Sequence, residues 1–540
     1  MFVADDRMKP AVDQIRAFAE QQMRETGAPG CQIALTGREG LIAHLELGHA
    51  NIDSCSPIQP DTMFEFGSIG KSFTAICYLQ LAEAGQVELH GPFTNYLPWF
   101  SVQSIHEPIT VHHLLTHTAG IIGGTDFTPG QEFEVWSLRN TTTGAPPGTF
   151  FHYSNIGYKA LGLALERIEG KPYAQIVRER IFEPLGMTNA SSVIDASIRS
   201  RLAVGYQPEF DDRPRLPSHR LVPAPWLETN TGDGCLTASA CDLAIYQRML
   251  LNRGAYPGGR LISDESFRLM STSYIDTGDD DGYGYGYGLA VPVDPPSGAF
   301  GHSGGMVGYI SAMEGNLHTG FGAIVFTNSM NSTSSIALHA LKALAAAASG
   351  EECPPIPKSE SHHLTDFAGI YRNREITLEF VERDGDLLLY HDGQTSTLIK
   401  SMPHPDRFVD DVDGRRQFPF RFERDFEGTV TAVAHGPAQW LKKPNSGEAA
   451  MAPEVWRAYA GHYRSYNPWE SNFRVVIRDG SLILIWPQGA EDELIPIGDG
   501  FRVGADPRLP ERLWFDTIID GQALQARDSL GSTYQRFFTR

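Results

Sequence analysis

No stretch of the chain approaches the roughly 20 consecutive apolar residues of a membrane-spanning helix, so a membrane partner is not expected. The opening segment, Met1 to Met23, lacks the basic n-region and apolar h-region of a secretory leader, and a cytoplasmic location is the expectation. Cysteine is scarce: six in 540 residues, at Cys31, Cys55, Cys77, Cys235, Cys241 and Cys353, none in a C-x-x-C pair. That usage reads as buried thiols of a reducing compartment, with a bridge between Cys235 and Cys241 left open. Basic residues are in deficit, 44 against 65 acidic, for a net charge of −21. A nucleic-acid surface needs clustered Lys and Arg to displace counterions, so that class is excluded; the acidic excess serves solubility.

What is present is enough apolar residue, 41%, for packed cores, and at ~100–200 residues per domain the length calls for two to four of them. Val12, Ile15, Phe18, Ala19 and Met23 recur at helical spacing near the start. Cys31–Leu35 and Leu41–Leu47 alternate apolar and polar residues around a turn at Gly37 to Gly40, a hairpin pattern. Strand-like runs return at Gly308–Met313 and Gly322–Phe326, and an Ala-rich helix over Ser335–Ala348 closes the region. Strands from both ends with helices between predict one antiparallel sheet flanked by terminal helices, with a large helical insertion. The Pro-rich segment Ser349–Ser359 then reads as a linker.

Beyond it the sequence repeats. Phe367-Ala-Gly-Ile-Tyr-Arg372 returns 92 residues later as Tyr459-Ala-Gly-His-Tyr-Arg464, and Arg383-Asp-Gly returns as Arg478-Asp-Gly. Each unit adds a strand around Phe408 or Phe501. Two tandem all-β antiparallel barrels of roughly 90 residues are predicted, lipocalin-like in form. The expected division is an α/β domain over 1–350 and barrels over 351–446 and 447–540.

The chemistry concentrates in Ser68-Ile-Gly-Lys71, followed by an almost wholly apolar helix that ends near Gly85. Ser68 and Lys71 stand at i and i+3, side by side on the first turn. The helix N-terminus favours negative charge developing on the serine, and a neutral lysine there can take its proton. Tyr153-Ser154-Asn155 follows just before another helix, and Gly301-His302-Ser303-Gly304-Gly305 comes later among strands. Other readings are weaker. Gly301–Gly305 matches a G-x-S-x-G nucleophile elbow around Ser303, but strand-like sequence continues where that elbow needs a helix. Gly67–Ser72 resembles a phosphate loop, yet Glu65 stands where its first glycine belongs. His112, His113 and His117 lack the carboxylate that would complete a zinc site and read as packing or surface groups. Asp279–Asp281 before Gly282–Tyr287 lacks calcium-loop spacing, and the whole stretch reads as a flexible solvated loop.

The ordered set S-x-x-K, Y-x-N and H-x-G resembles the penicillin-binding protein/class C β-lactamase superfamily of serine hydrolases. Supporting matches are Phe66–Lys71, Ile109–Gly120, Pro184–Met187 and Gly232–Leu243, so the resemblance covers roughly residues 10–348. It implies Ser68 as the acylated nucleophile, and Lys71 and Tyr153 as a coupled pair, either of which can be the general base. It implies Asn155, His302 and Gly304 as substrate-binding residues, with Asn155 bonded to Lys71. The backbone N–H groups of Ser68 and Gly305 would form the oxyanion hole, each worth ~3 kcal/mol. Neither metal nor other cofactor is implied. Many β-lactamases carry Lys-Thr-Gly where this chain has His302-Ser303-Gly304, and a mostly neutral His is a poor anchor for a substrate carboxylate. Small esters or amides are therefore the expected substrates, with peptide hydrolysis included. The alternatives are a β-lactam hydrolase, or a penicillin-binding sensor or scaffold that acylates without turnover. The layout with two appended barrels resembles D-aminopeptidase-type relatives, in which a barrel loop enters the cleft. Met402–Gly414 and Tyr466–Asn472, the latter with Trp469 and Glu470, are the candidate loops here. The sequence does not give the oligomeric state.

Overall fold

The computed structural model describes residues 2–3, 5–124, 130–279, 282–293, 297–329, 333–357, 364–400, 406–412, 414–443 and 451–537. The chain forms two compact units, Met1–Gln207 with Leu221–Pro357, and Pro208–Arg220 with Lys358–Arg540.

The first unit is built on an antiparallel sheet. Its main strands are β1 (Gly30–Gly37), β2 (Leu41–Asn51), β3 (Ala299–Met306), β4 (Tyr309–Asn316) and β5 (Phe321–Thr327), hydrogen-bonded in the order β2-β1-β5-β4-β3. Short strands at Ala290–Pro292, Tyr283–Tyr285 and Ile275–Asp276 extend it beyond β3. Alternation decides which helix lies where. Cys31, Ile33 and Leu35 of β1 face helices α1 (Lys9–Thr26) and α5 (Thr333–Ser349), forming one core with Ile15, Phe18, Ile336 and Leu344. Between them, Gln32 and Thr36 face the other side, where Gln32 Oε1 accepts from the Ala240 N–H that starts helix α4 (Ala240–Leu251). Helices α2 (Lys71–Glu83) and α3 (Asn155–Glu169) belong to the helical insertion, and α2 is buried from Lys71 through Leu79.

The α/β reading therefore stands, with one difference. Gly282–Tyr287 is not a solvated loop: Tyr283–Tyr285 is a sheet strand, and Tyr285 and Tyr287 are buried. Asp280 and Asp281 lie outside the described residues.

The second unit holds two closed eight-stranded barrels, one from Gly369–Arg372 to Ala438–Leu441 and one from Gly461–Arg464 to Thr533–Phe537. The repeat has a local cause. Tyr371 and Tyr463 are fully buried in their barrel cores, and each donates its hydroxyl to the carbonyl four residues earlier, Phe367 O at 2.9 Å and Tyr459 O at 2.8 Å. The Arg-Asp-Gly pairs are tight hairpin turns with positive φ at Asp384 and Gly385, and again at Asp479 and Gly480. Pro208–Arg220, expected within the α/β domain over 1–350, belongs to this unit instead. Asp211 accepts from Arg464 and Asn472, and Arg474 donates to Asp212. Of the two candidate loops, Tyr466–Asn472 is closed by the Ser465 N–H donating to Ser471 O. Burial, then Asp528 and Glu511, pushes the Glu470 carboxyl up to about 7, which weakens it as a permanent anion. Residues 402–405 and 413 of the Met402–Gly414 loop lie outside the described residues.

Candidate active site

Ser68 lies on a 3-10 turn, Gly67–Gly70, that runs directly into α2, so the helix begins at Lys71 rather than at the serine. Lys71 is fully buried. Its Nζ stands 2.8 Å from Ser68 Oγ and donates to Asn155 Oδ1 at 2.7 Å and Asp233 O at 2.6 Å. Two of three positions around the nitrogen are thus taken by carbonyl acceptors that can only receive hydrogen. The third faces the serine hydroxyl, which places Ser68 Oγ within proton-transfer reach of the amine.

Asn155 is placed by a cap. Ser154 is the N-cap of α3, accepting the Gly157 N–H at 3.1 Å and donating to Ile122 O at 2.7 Å. Asn155, the first residue of α3, consequently sits at a fixed helix mouth. Lys71 Nζ lies 4.8 Å from the Tyr153 ring centroid and 5.6 Å from that of Tyr158.

His302 lies on β3, and its ring centroid is 6.2 Å from that of Tyr153. Its Nε2 meets the Tyr285 hydroxyl at 2.8 Å, and Nδ1 faces Ser303 O at 2.5 Å. Burial, then the Lys71 charge, pushes the imidazole down to about 4, so it is neutral at pH 7. Nδ1–H donating to a carbonyl leaves Nε2 as the acceptor of the tyrosine hydroxyl. Both nitrogens are committed.

Gly304 and Gly67 owe their identity to close approach. A Cβ on Gly304 would run into the Phe66 carbonyl oxygen, and one on Gly67, at φ +53, would come within 2.6 Å of Gly305 O. The backbones of Gly67–Ser68 and Gly304–Gly305 therefore lie against each other. Ser303 is exposed on β3, which turns into β4 rather than a helix, so the nucleophile-elbow reading is excluded. Glu65, where a phosphate loop needs glycine, lies buried on a short strand.

Other groups converge that the motifs did not point to: Tyr285, Tyr158, the Asp233 carbonyl and His117, whose ring stacks on Tyr153 with centroids 4.1 Å apart. Tyr283, Tyr285 and Tyr287 alternate with glycine, a period-2 strand signal that could have found Tyr285. The histidines read as packing groups behave so: His112 Nδ1 meets the Tyr287 hydroxyl at 2.8 Å, and His113 completes a capping box with Thr110. Among the described residues, no group of three or more His, Cys, Asp and Glu is placed to hold a metal. None of the six cysteines is in a disulfide; Cys55 is exposed rather than buried, and Cys235 and Cys241 form no bridge. No helix among the described residues is long and apolar enough to cross a membrane.

The family described as Beta-lactamase matches residues 15–348. An uncharacterized protein of Mycobacterium tuberculosis is 30% identical over 266 residues, which cover 44% of this chain and 65% of that one. An esterase of Burkholderia gladioli is 28% identical over 268 residues, 46% of this chain and 64% of the relative. The chain thus spans just under two thirds of the length of these relatives. Among solved structures, an octameric penicillin-binding protein homologue from Pyrococcus abyssi aligns with a TM-score of 0.59 and 27% identity, over 80% of this chain and 100% of that chain.

Proposed function

The chain belongs to the β-lactamase family, and from that premise we propose that it is a serine hydrolase turning over small esters or amides through an acyl-enzyme on Ser68. The observation that carries the reading is the Lys71 amine, buried and held by Asn155 Oδ1 and Asp233 O with its remaining direction on Ser68 Oγ. Ser68 Oγ attacks the substrate carbonyl while its proton passes to the Lys71–Tyr153 pair, in which either member can be the first acceptor. The oxyanion is received by the Ser68 and Gly305 N–H groups, a pairing that the close packing of Gly67 against Gly305 supports. Collapse expels the alcohol or amine, protonated from the same pair. Water then attacks the ester to Ser68 and restores the hydroxyl.

His302 supports uncharged substrates over β-lactams. With both nitrogens committed and no charge at pH 7, it offers a substrate carboxylate neither a cation nor a free N–H. The description of the Burkholderia relative as an esterase points the same way. A panel of p-nitrophenyl esters, D- and L-aminoacyl anilides and a chromogenic cephalosporin tests the reading. Esters or aminoacyl anilides should be hydrolysed steadily, with the cephalosporin at least ~10-fold slower in kcat/KM, the ~1.4 kcal/mol that one missing charged contact is worth. A cephalosporin preferred over every ester would overturn the substrate class.

A further inference from the structure

The stretch from Phe151 to Ser154 has no regular secondary structure, so nothing in its own backbone pattern fixes Tyr153. A single residue from a distant part of the sequence does. The His117 carbonyl accepts the His152 N–H at 2.8 Å, and His117 Nδ1 accepts the Ser154 N–H at 2.9 Å. Both neighbours of Tyr153 are therefore tied to one side chain and its own backbone. The His117 ring also lies against the Tyr153 ring, 4.1 Å between centroids and 34° between planes, and is packed on its other sides by Phe151, Tyr158 and Tyr285.

His117 is an unusual residue to spend on packing. It is 1% exposed, and its backbone takes φ +57°, a left-handed conformation uncommon for residues other than glycine. Because Nδ1 accepts from a backbone amide, the ring proton resides on Nε2, which has no hydrogen-bond partner among the described residues. Burial, with Lys71 next and His302 and His152 after it, holds the imidazole well below its usual range, in keeping with that neutral tautomer. A strained backbone and an unsatisfied buried N–H both carry a cost, and a leucine or phenylalanine would fill the space without the second. What neither would supply is an acceptor for the Ser154 N–H, the second of the two ties on the Tyr153 segment.

We propose that His117 is the positioning residue for Tyr153, its carbonyl and Nδ1 fixing the two flanking residues and its ring fixing the plane of the phenol beside Lys71. The proposal rests on the reading of Tyr153 as a partner in proton transfer. A displacement of about 1 Å at such a group costs on the order of 10²-fold in rate.

The test is a double-mutant cycle on the full chain with a p-nitrophenyl ester, with rates expressed per Ser68 labelled to completion by a fluorophosphonate so that unfolded protein is not counted. Tyr153→Phe should lower kcat by at least ~100-fold. His117→Phe keeps the ring and removes the acceptor; kcat should fall about 30-fold with KM within about 3-fold, the smaller displacement expected when one of two ties survives. His117→Asn restores an acceptor at Oδ1 and tolerates positive φ but lacks the ring, so its kcat should lie between those of His117→Phe and the parent. In the Tyr153→Phe background, His117→Phe should cost less than about 3-fold more, because its effect runs through the missing hydroxyl. If His117→Phe does not fold, His117→Gln, which carries its acceptor out to the Nε2 position, takes its place. An equal loss for His117→Phe in both backgrounds, or a change confined to KM, overturns the proposal while leaving the role of Tyr153 intact. An unchanged kcat for Tyr153→Phe alone overturns that role and the proposal with it.

Discussion

At the scale of single residues, the site depends on where protons are forbidden as much as on where they move. His302 is 8% exposed and stays neutral down to about pH 4, whereas a histidine in the unfolded chain takes up a proton near 6.5. Between those values the unfolded state binds more protons than the folded one, so this contribution to stability is complete above about 6.5 and is lost as the pH falls toward 4. Denaturant melts of the parent and of His302→Gln at pH 7 and pH 4 isolate it, since His112, His117 and His462, also pushed down, are common to both proteins. The parent's advantage should shrink by on the order of 3 kcal/mol between the two pH values; a constant difference would show that His302 is not held neutral. Ser68, Lys71 and Asn155 were legible because their spacing and order are chemically specific. The roles of Tyr285 and His117 were not, because each acts through a partner on another segment: Tyr285 on His302, and His117 on Ser154. No local pattern records such a pairing.

At the scale of elements, the site is the meeting of one strand, one 3-10 turn and two helix starts. The strand β3 carries His302 and the Gly304–Gly305 pair, and its register with β4 is continuous from Ala299–Asn316 to Met306–Tyr309. A strand bonded along its whole length cannot yield locally. Gly304→Ala should therefore transmit the collision with the Phe66 carbonyl to the Gly305 amide and lower kcat by at least ~100-fold, the cost of one lost oxyanion donor. The chain should remain folded, with a melting temperature reduced by a few degrees. Full activity in Gly304→Ala would mean that Gly305 N–H takes no part in the reaction. The hairpin at residues 31–47, the closing helix and both barrel repeats could be read from the sequence because apolar alternation and Asp-Gly turns are local signals. The tyrosine-rich strand was misread because six residues with three glycines look like a flexible loop. The tyrosines decide otherwise, since Tyr285 and Tyr287 bury large rings and bind His302 and His112.

At the scale of the whole molecule, the chemistry-bearing residues all fall in the unit formed by Met1–Gln207 and Leu221–Pro357, while the barrels close on their own aromatic cores around Tyr371 and Tyr463. Reading the sequence in contiguous blocks could not place Pro208–Arg220 with the barrels, because its ties through Asp211 and Asp212 reach more than 250 residues ahead. The central claim is that this molecule turns over substrate on Ser68. The most direct measurement is the steady-state hydrolysis of a p-nitrophenyl ester by the parent, by Ser68→Ala and by Ser303→Ala, with melting curves for all three. The account predicts continuous product from the parent, a loss of at least ~10³-fold in Ser68→Ala with the melt unchanged, and near-parental rates in Ser303→Ala. Parental turnover by Ser68→Ala, or one equivalent of product from the parent and then none, would contradict it.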